Sequence, residues 1–151
     1  MRQAPAPLPR SADILLVDDN RQGLIARRSL LQELGYNVTT AMSGDEALEV
    51  FPKQKFDVIV TDYKMPRMNG VELIKRIRSL DANARIILLS GFVEPLGLNE
   101  QTTGADVVIA KSAGEVGQLT RSVKRLLTQP ARKPAASADA PARAKAKARG
   151  I

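Results

Sequence analysis

Short apolar runs alternate with longer stretches of helical spacing between residues 13 and 128. The runs predict five strands, at 14–17, 36–40, 58–60, 85–89 and 107–110. Val58, Ile59 and Val60 are apolar without polar alternation, which is typical of a central strand covered on both faces. Strands that alternate with helices predict parallel βαβ units, and therefore an α/β fold with a doubly wound parallel sheet and helices on both faces.

Apolar residues also repeat at helical spacing in the stretches 21–34, 43–51, 71–80 and 116–128. Gly35 is expected to end the first of these helices, and Pro52 the second. Ser43 with Glu46 predicts a capping box at the start of the second helix. From residue 92 to residue 104 proline and glycine interrupt the pattern, and we expect this segment to be the most mobile part of the fold.

The two ends of the chain differ in composition from the stretch between them. Residues 1–12 are rich in proline and residues 129–151 in Ala, Pro, Lys and Arg, so we predict a disordered arm and a disordered tail around one domain at 13–128. The net charge of +7 belongs to these ends, because residues 13–128 carry 15 basic and 15 acidic side chains. The basic tail favours a weak electrostatic contact with nucleic acid, a membrane or an acidic protein, or serves only for solubility.

Cysteine and histidine are both absent from the chain. This excludes disulfides, thiolate or imidazole metal sites, and nucleophiles activated by histidine, so any bound metal must be held by oxygen. No apolar run approaches the roughly 18 residues that span a bilayer, and the first residues lack the apolar core of a signal peptide. We therefore expect a cytoplasmic protein.

Polar side chains follow four of the five predicted strands. Asp18 and Asp19 come directly after the first strand, Asp62 follows the third, Ser90 the fourth and Lys111 the fifth. Because the carboxyl ends of parallel strands share one edge of a sheet, we expect these side chains to converge on one crevice. Each has an ordinary explanation alone, as a helix cap, a turn residue or a solvated charge, but their coincidence at matching strand ends predicts a functional site.

The predicted cluster contains the groups that phosphoryl transfer requires. Three carboxylates in one crevice repel each other, and a hard divalent cation such as Mg²⁺, with several waters retained, relieves that repulsion. A phosphoryl group would then lie between the metal and the ammonium group of Lys111. An oxygen nucleophile, a metal and a cation are the groups that such chemistry uses.

The segments LLVDDN, VIVTDYKMPRMNG, IILLSG and GADVVIAKS occur in the order and spacing of a known family. Through them the stretch 13–128 resembles the receiver domain of two-component response regulators, and the whole chain looks like a stand-alone, CheY-like member that is not an enzyme. The resemblance implies a flavodoxin-like sheet of strand order 2-1-3-4-5. It also implies signalling through phosphorylation-dependent protein binding or phosphorelay.

The resemblance assigns a role to each residue of the cluster. Asp62 would accept a phosphoryl group from a histidine kinase or a histidine phosphotransfer protein. The implied Mg²⁺ ligands are Asp19 directly, Asp18 largely through water, Asp62, and the main-chain carbonyl of Lys64. Ser90 would be the switch hydroxyl, and Lys111 would pair with the phosphoryl oxygens.

Two positions depart from the family pattern. Val108 stands where an aromatic switch residue is usual, and Ser112 stands where proline usually follows the lysine. The interrupted segment at 92–104 corresponds to a weak fourth helix, and the resemblance places it on the face that many receivers use to form homodimers or to meet targets. These departures leave one alternative, a receiver-fold module that binds partners without phosphate, with the basic tail as a contact for an acidic partner. The acid and metal chemistry leaves a second, a phosphatase that passes through an aspartyl phosphate, although an evident second acid to activate water is lacking.

Overall fold

The computed structural model describes residues 11–91 and 97–129. Residues 1–10 of the predicted arm, the tail from residue 130, and residues 92–96 of the segment expected to be most mobile lie outside the described residues. The elements in chain order are β1 Asp13–Val17, α1 Arg21–Glu33, β2 Asn37–Ala41, α2 Gly44–Val50, a 3-10 turn Phe51–Lys53, β3 Val58–Asp62, α3 Gly70–Leu80, β4 Ile86–Ser90, α4 Glu100–Thr103, β5 Val107–Ala110 and α5 Glu115–Thr128.

The five strands form one parallel sheet in the order β2-β1-β3-β4-β5, as predicted. The central strand β3 pairs with β1 on one side and with β4 on the other. All five residues of β3 and of β4 are buried, because both strands have neighbours on either side and helices above and below. This explains why both strands begin as apolar runs without polar alternation, at 58–60 and 86–89.

Hydrophobic cores lie on both faces of the sheet, since successive strand residues point to opposite sides. Leu15 and Ile59 belong to the core that contains the apolar side chains of α2 and α3. Leu16 and Val60 belong to the other core, which the apolar side chains of α1 and α5 complete. The prediction of helices on both faces is therefore confirmed, and the sheet is buried between two helical layers.

The ends of several elements differ from the sequence prediction. Asp62 and Ser90 are the last residues of β3 and β4, not loop residues beyond them, so the sheet itself fixes their backbone. Pro52 lies inside the 3-10 turn that follows α2, because proline fits the first turn of such a helix. Gly35 has a φ of 97°, in agreement with its predicted place just past the end of α1.

The predicted capping box at Ser43 is only half formed. The Ser43 hydroxyl accepts from the amide of Glu46 at 3.0 Å, but the Glu46 carboxylate accepts from Met42, one residue earlier, at 2.7 Å. A complete box occurs instead at the start of α3, where Asn69 and Glu72 cap each other's amides. None of the helices in the described ranges is both long and apolar enough to cross a membrane.

Candidate functional site

The sheet brings three carboxylates together at the carboxyl ends of β1 and β3. One oxygen each from Asp18, Asp19 and Asp62 lies within 4.8 Å of the other two. Asp18 and Asp62 are buried, with 1% and 5% of their surface exposed, whereas Asp19 is exposed at the mouth of the site. The parallel pairing of β1 with β3 causes this convergence, as the sequence predicted.

Lys111, directly after the end of the edge strand β5, completes the group at the same end of the sheet. Its ammonium Nζ forms an ion pair with Oδ1 of Asp62. The backbone amide of Lys111 donates to the carbonyl of Ser90 at 2.9 Å, which anchors the residue as it leaves β5. Apart from the ion pair, Asp62 Oδ1 receives no hydrogen bond within the described part of the chain although it is buried.

The surroundings of Asp62 disfavour the charged form of its carboxyl group. Burial raises the pKa of the Asp62 carboxyl above its ordinary value. The contact with Lys111 opposes this rise, and the nearby charge of Asp18 adds to it. A buried carboxylate that is only partly compensated is a group that favours binding of a cation.

An open cleft of about 580 Å³ leads from solvent to Asp62. Ser90 lies on its wall, only 1% exposed, at the end of the strand next to β3. The cleft is lined by residues from four loops and two strand ends, namely Asp19, Asn20, Asp62, Lys64, Met65, Pro66, Ser90, Gly91 and Lys111. Asp18 lies behind this surface and does not line the cleft.

The loop between β3 and α3 is held against the sheet by close packing. The amide of Gly70 donates to the carbonyl of Tyr63 at 2.7 Å, and the side chains of Met65 and Met68 within the loop are buried. A Cβ atom on Gly70 would lie 2.5 Å from the backbone oxygen of Asp62, so only glycine permits this approach. The packing fixes the path of the backbone through Lys64, beside the acidic residues.

An ion-pair chain that the sequence did not predict lies behind the carboxylates. Arg27 of α1 donates from Nη1 to Asp18 Oδ2 and from Nε to Glu115 Oε2, both at 2.7 Å. Glu115 is the first residue of α5, so the two ion pairs connect the loop after β1 with the helices α1 and α5. Little in the sequence indicates these contacts, because an arginine among other polar helix residues is normally solvated.

Val108, the position that departs from the family pattern, is half-buried on β5 and packs against the core next to α3. Its backbone amide donates to the Glu100 carboxylate at 3.0 Å. Glu100 therefore caps the outer edge of the sheet, where a strand amide would otherwise lack a partner strand. The short helix α4 is anchored to β5 through this contact.

Comparison with known proteins agrees with this arrangement. The family model "Response regulator receiver domain" matches residues 14–124. A gliding motility regulatory protein of Myxococcus xanthus is 34% identical over 127 residues, which cover 80% of this chain and 16% of that protein. Sporulation initiation phosphotransferase F of Bacillus subtilis is 30% identical over 115 residues, which cover 76% of this chain and 92% of that protein.

The solved structures include close matches of the same kind. The response regulator TrrA of Thermotoga maritima, in complex with Mg²⁺-BeF, is 34% identical with a TM-score of 0.70, and the match covers 77% of this chain and 99% of that one. This chain spans less than a fifth of the Myxococcus protein but most of the Bacillus protein. The family match, the sheet order and the arrangement of the strand-end residues agree, and the chain belongs to the response regulator receiver domain family.

Proposed function

We propose that this receiver domain accepts a phosphoryl group on Asp62 and signals through the phosphorylated form. The observation that carries the proposal is the convergence of Asp62 with Asp18, Asp19 and Lys111 at one cleft. The likeness to sporulation initiation phosphotransferase F over most of that protein supports a phosphoryl-transfer role. The phosphodonor would be a histidine kinase or a histidine phosphotransfer protein, since this chain has no histidine of its own.

The residues present fit a Mg²⁺ ion. The candidate ligands are all oxygens, and three of them lie within 4.8 Å of one another. The buried Oδ1 of Asp62 has its ion pair with Lys111 and accepts no further hydrogen bond from the described residues. Asp19, Asp62 and the main-chain carbonyl of Lys64 would hold the ion, with Asp18 acting through water. When bound, the ion neutralises charge on the acids and on the incoming phosphoryl group. The Mg²⁺-BeF complex of TrrA, a relative of the same fold, supports this assignment.

Transfer consists of a single displacement at phosphorus. A carboxylate oxygen of Asp62 forms a bond to phosphorus while the bond from phosphorus to the donor nitrogen breaks, and the donor imidazole keeps the electron pair. Lys111 exchanges its ion pair with Asp62 for one with the phosphoryl oxygens. The hydroxyl of Ser90, on the wall of the same cleft, donates to another phosphoryl oxygen. The rigid strand ends hold these groups in place before the donor arrives.

The structural change that a partner detects begins at Ser90 and Lys111, because both side chains change their contacts when the phosphoryl group arrives. Val108 supplies no aromatic ring whose burial could follow the movement of Ser90. The signal in this chain therefore passes through the backbone of β4 and β5 and through the Glu100 contact that anchors α4. The partner that reads this signal would contact the face on which α4 lies.

Mass spectrometry of the intact chain tests the proposal. Wild type, Asp62→Asn and Asp45→Asn are incubated with acetyl phosphate and Mg²⁺, and the added mass is measured. Asp45 is an exposed carboxylate on α2, away from the cleft, so its variant controls for the loss of one carboxylate. We expect one added phosphoryl group on wild type and on Asp45→Asn, and none on Asp62→Asn. Equal labelling of Asp62→Asn, or none on wild type, would refute the proposal.

A further inference from the structure

Asp18, Arg27 and Glu115 form two linked ion pairs, and neither Arg27 nor Glu115 has a part in the transfer step described above. The three side chains are 2%, 14% and 14% exposed, so all of them are largely removed from water. Arg27 uses separate nitrogens for its two partners, at 2.7 Å in both cases. A guanidinium held from two sides at these distances has one fixed position, directly behind the acids.

The contacts of Asp18 leave little of its carboxylate available. Oδ2 accepts from Arg27 Nη1 at 2.7 Å, and Oδ1 accepts from the backbone amide of Asn20 at 2.9 Å. Both oxygens therefore have a strong donor, and the charge of Asp18 is partly neutralised by a cation that belongs to the protein. Asp19 and Asp62 have no such arginine contact among the described residues.

The formal charges around the cleft show what Arg27 changes. Four carboxylates and two cations give this cluster a formal charge of −2, from Asp18, Asp19, Asp62, Glu115, Arg27 and Lys111. A single divalent cation matches that charge. Without Arg27 the same acids would present −3, and they would attract a divalent cation more strongly. Without Glu115, no second carboxylate would offset the charge of Arg27, and the guanidinium would repel the divalent cation more strongly.

We infer that Arg27 is a positioning residue that sets the divalent-cation affinity of the site through Asp18, and that Glu115 controls how strongly it does so. The inference rests on the proposed Mg²⁺ site. The guanidinium holds Asp18 in place and lowers the attraction of the acids for Mg²⁺. Glu115 takes part of the positive charge of Arg27 and so moderates that effect. Two residues outside the cleft thereby set the affinity of the site for the cation that phosphorylation requires.

Direct Mg²⁺ titration tests this inference without any phosphorylation assay. The chain has no tryptophan, so binding is followed by amide shifts in ¹⁵N spectra or by calorimetry. Arg27→Met removes the charge but keeps most of the volume, and we expect it to bind Mg²⁺ about tenfold more tightly than wild type. For Glu115→Gln we expect binding weaker by about threefold. A thermal melt of each variant verifies that the protein is folded at the titration temperature.

Arg27→Lys separates charge from simple packing. Lysine keeps the positive charge next to Asp18 but cannot contact both partners as the planar guanidinium does. We expect its Mg²⁺ affinity to stay within about twofold of wild type, because the inference depends on charge. Equal affinity of Arg27→Met and wild type, weaker binding by Arg27→Met, or equal effects of the Lys and Met variants would overturn the inference.

Asp19→Asn distinguishes this result from failure of the site itself. Asp19 is the exposed acid of the cleft and a proposed direct ligand. If wild type binds Mg²⁺ and Asp19→Asn binds at least tenfold more weakly, the site stands and the Arg27 variants test the inference alone. If wild type binds no better than Asp19→Asn, the metal site of the proposed function is wrong, and the inference falls with it.

Discussion

Replacement of Gly70 by alanine tests how closely the β3–α3 loop packs against Asp62. The added Cβ would lie 2.5 Å from the backbone oxygen of Asp62, 2.7 Å from Leu88 Cδ1 and 3.0 Å from Tyr63 Cα. Two of these atoms belong to the backbone at the end of a buried strand, so they cannot rotate away as a flexible side chain would. Overpacking of this kind costs about 1–3 kcal/mol.

Alanine also has an intrinsic advantage over glycine within a helix, which offsets part of this cost. The advantage is at most about 1 kcal/mol, and it is smaller here because Gly70 is the first residue of α3. We therefore expect Gly70→Ala to lower the free energy of unfolding by about 1–2 kcal/mol. In a domain of this size that corresponds to a melting temperature lower by roughly 4–8 °C.

Gly117→Ala provides the matched control, because the same atom is added inside another helix. At Gly117 a Cβ would meet only the movable guanidinium of Arg121, at 3.1 Å. Without a backbone clash the helix preference of alanine prevails, and we expect a gain of about 0.5–1 kcal/mol. Urea unfolding followed by circular dichroism at 222 nm measures both variants. Equal stability of Gly70→Ala and wild type, with Gly117→Ala behaving as expected, would refute the packing argument.

Three further predictions concern the cap of α3, the contacts of Arg78 just before β4 and β5, and the charge of Asp62. Asn69→Ala removes the side chain that caps α3 together with Glu72, and urea unfolding should show a loss of about 1 kcal/mol. Arg78→Lys replaces a guanidinium that donates to main-chain carbonyls and to Asp106, and the same measurement should show a loss of about 1–3 kcal/mol because lysine cannot supply that many donors. Burial raises the pKa of Asp62 in the folded chain, so its contribution to stability is present below the unfolded pKa and is lost as pH rises through the folded value. The stability advantage of Asp62→Asn over wild type, measured with a chelator present, should therefore grow from pH about 4 to pH about 7, and an advantage independent of pH would contradict this account.

The fold could be read from the sequence because its signals are repeated along the chain. Apolar runs such as the one at β3 and the alternation with helices predict a parallel sheet, and the sheet then brings the strand-end residues together. Asp62 and Lys111 lie 49 positions apart in sequence and still form an ion pair, because each stands at the end of its strand. The convergence was thus predictable from topology alone, although the strand order came from the resemblance.

The role of Arg27 could not be predicted in the same way. Its partner Glu115 lies 88 residues away, and that contact depends on how α1 and α5 pack on the same face of the sheet. The capping residues show a similar limit, because Ser43 and Asn69 carry comparable signals but only Asn69 forms the complete box. Such details depend on side-chain positions set by tertiary packing, which a pattern of residue types does not specify.

Chemical identification of the phosphorylated residue tests the proposal that Asp62 is the phosphoacceptor. The chain is treated with acetyl phosphate and Mg²⁺, reduced with borohydride, which converts an aspartyl phosphate to homoserine, and sequenced by tandem mass spectrometry. Untreated chain, reduced in the same way, serves as the control. We expect homoserine at position 62 only, with Asp18 and Asp19 intact. Homoserine at another aspartate, or none at position 62 in a chain that has gained the mass of a phosphoryl group, would contradict the proposal.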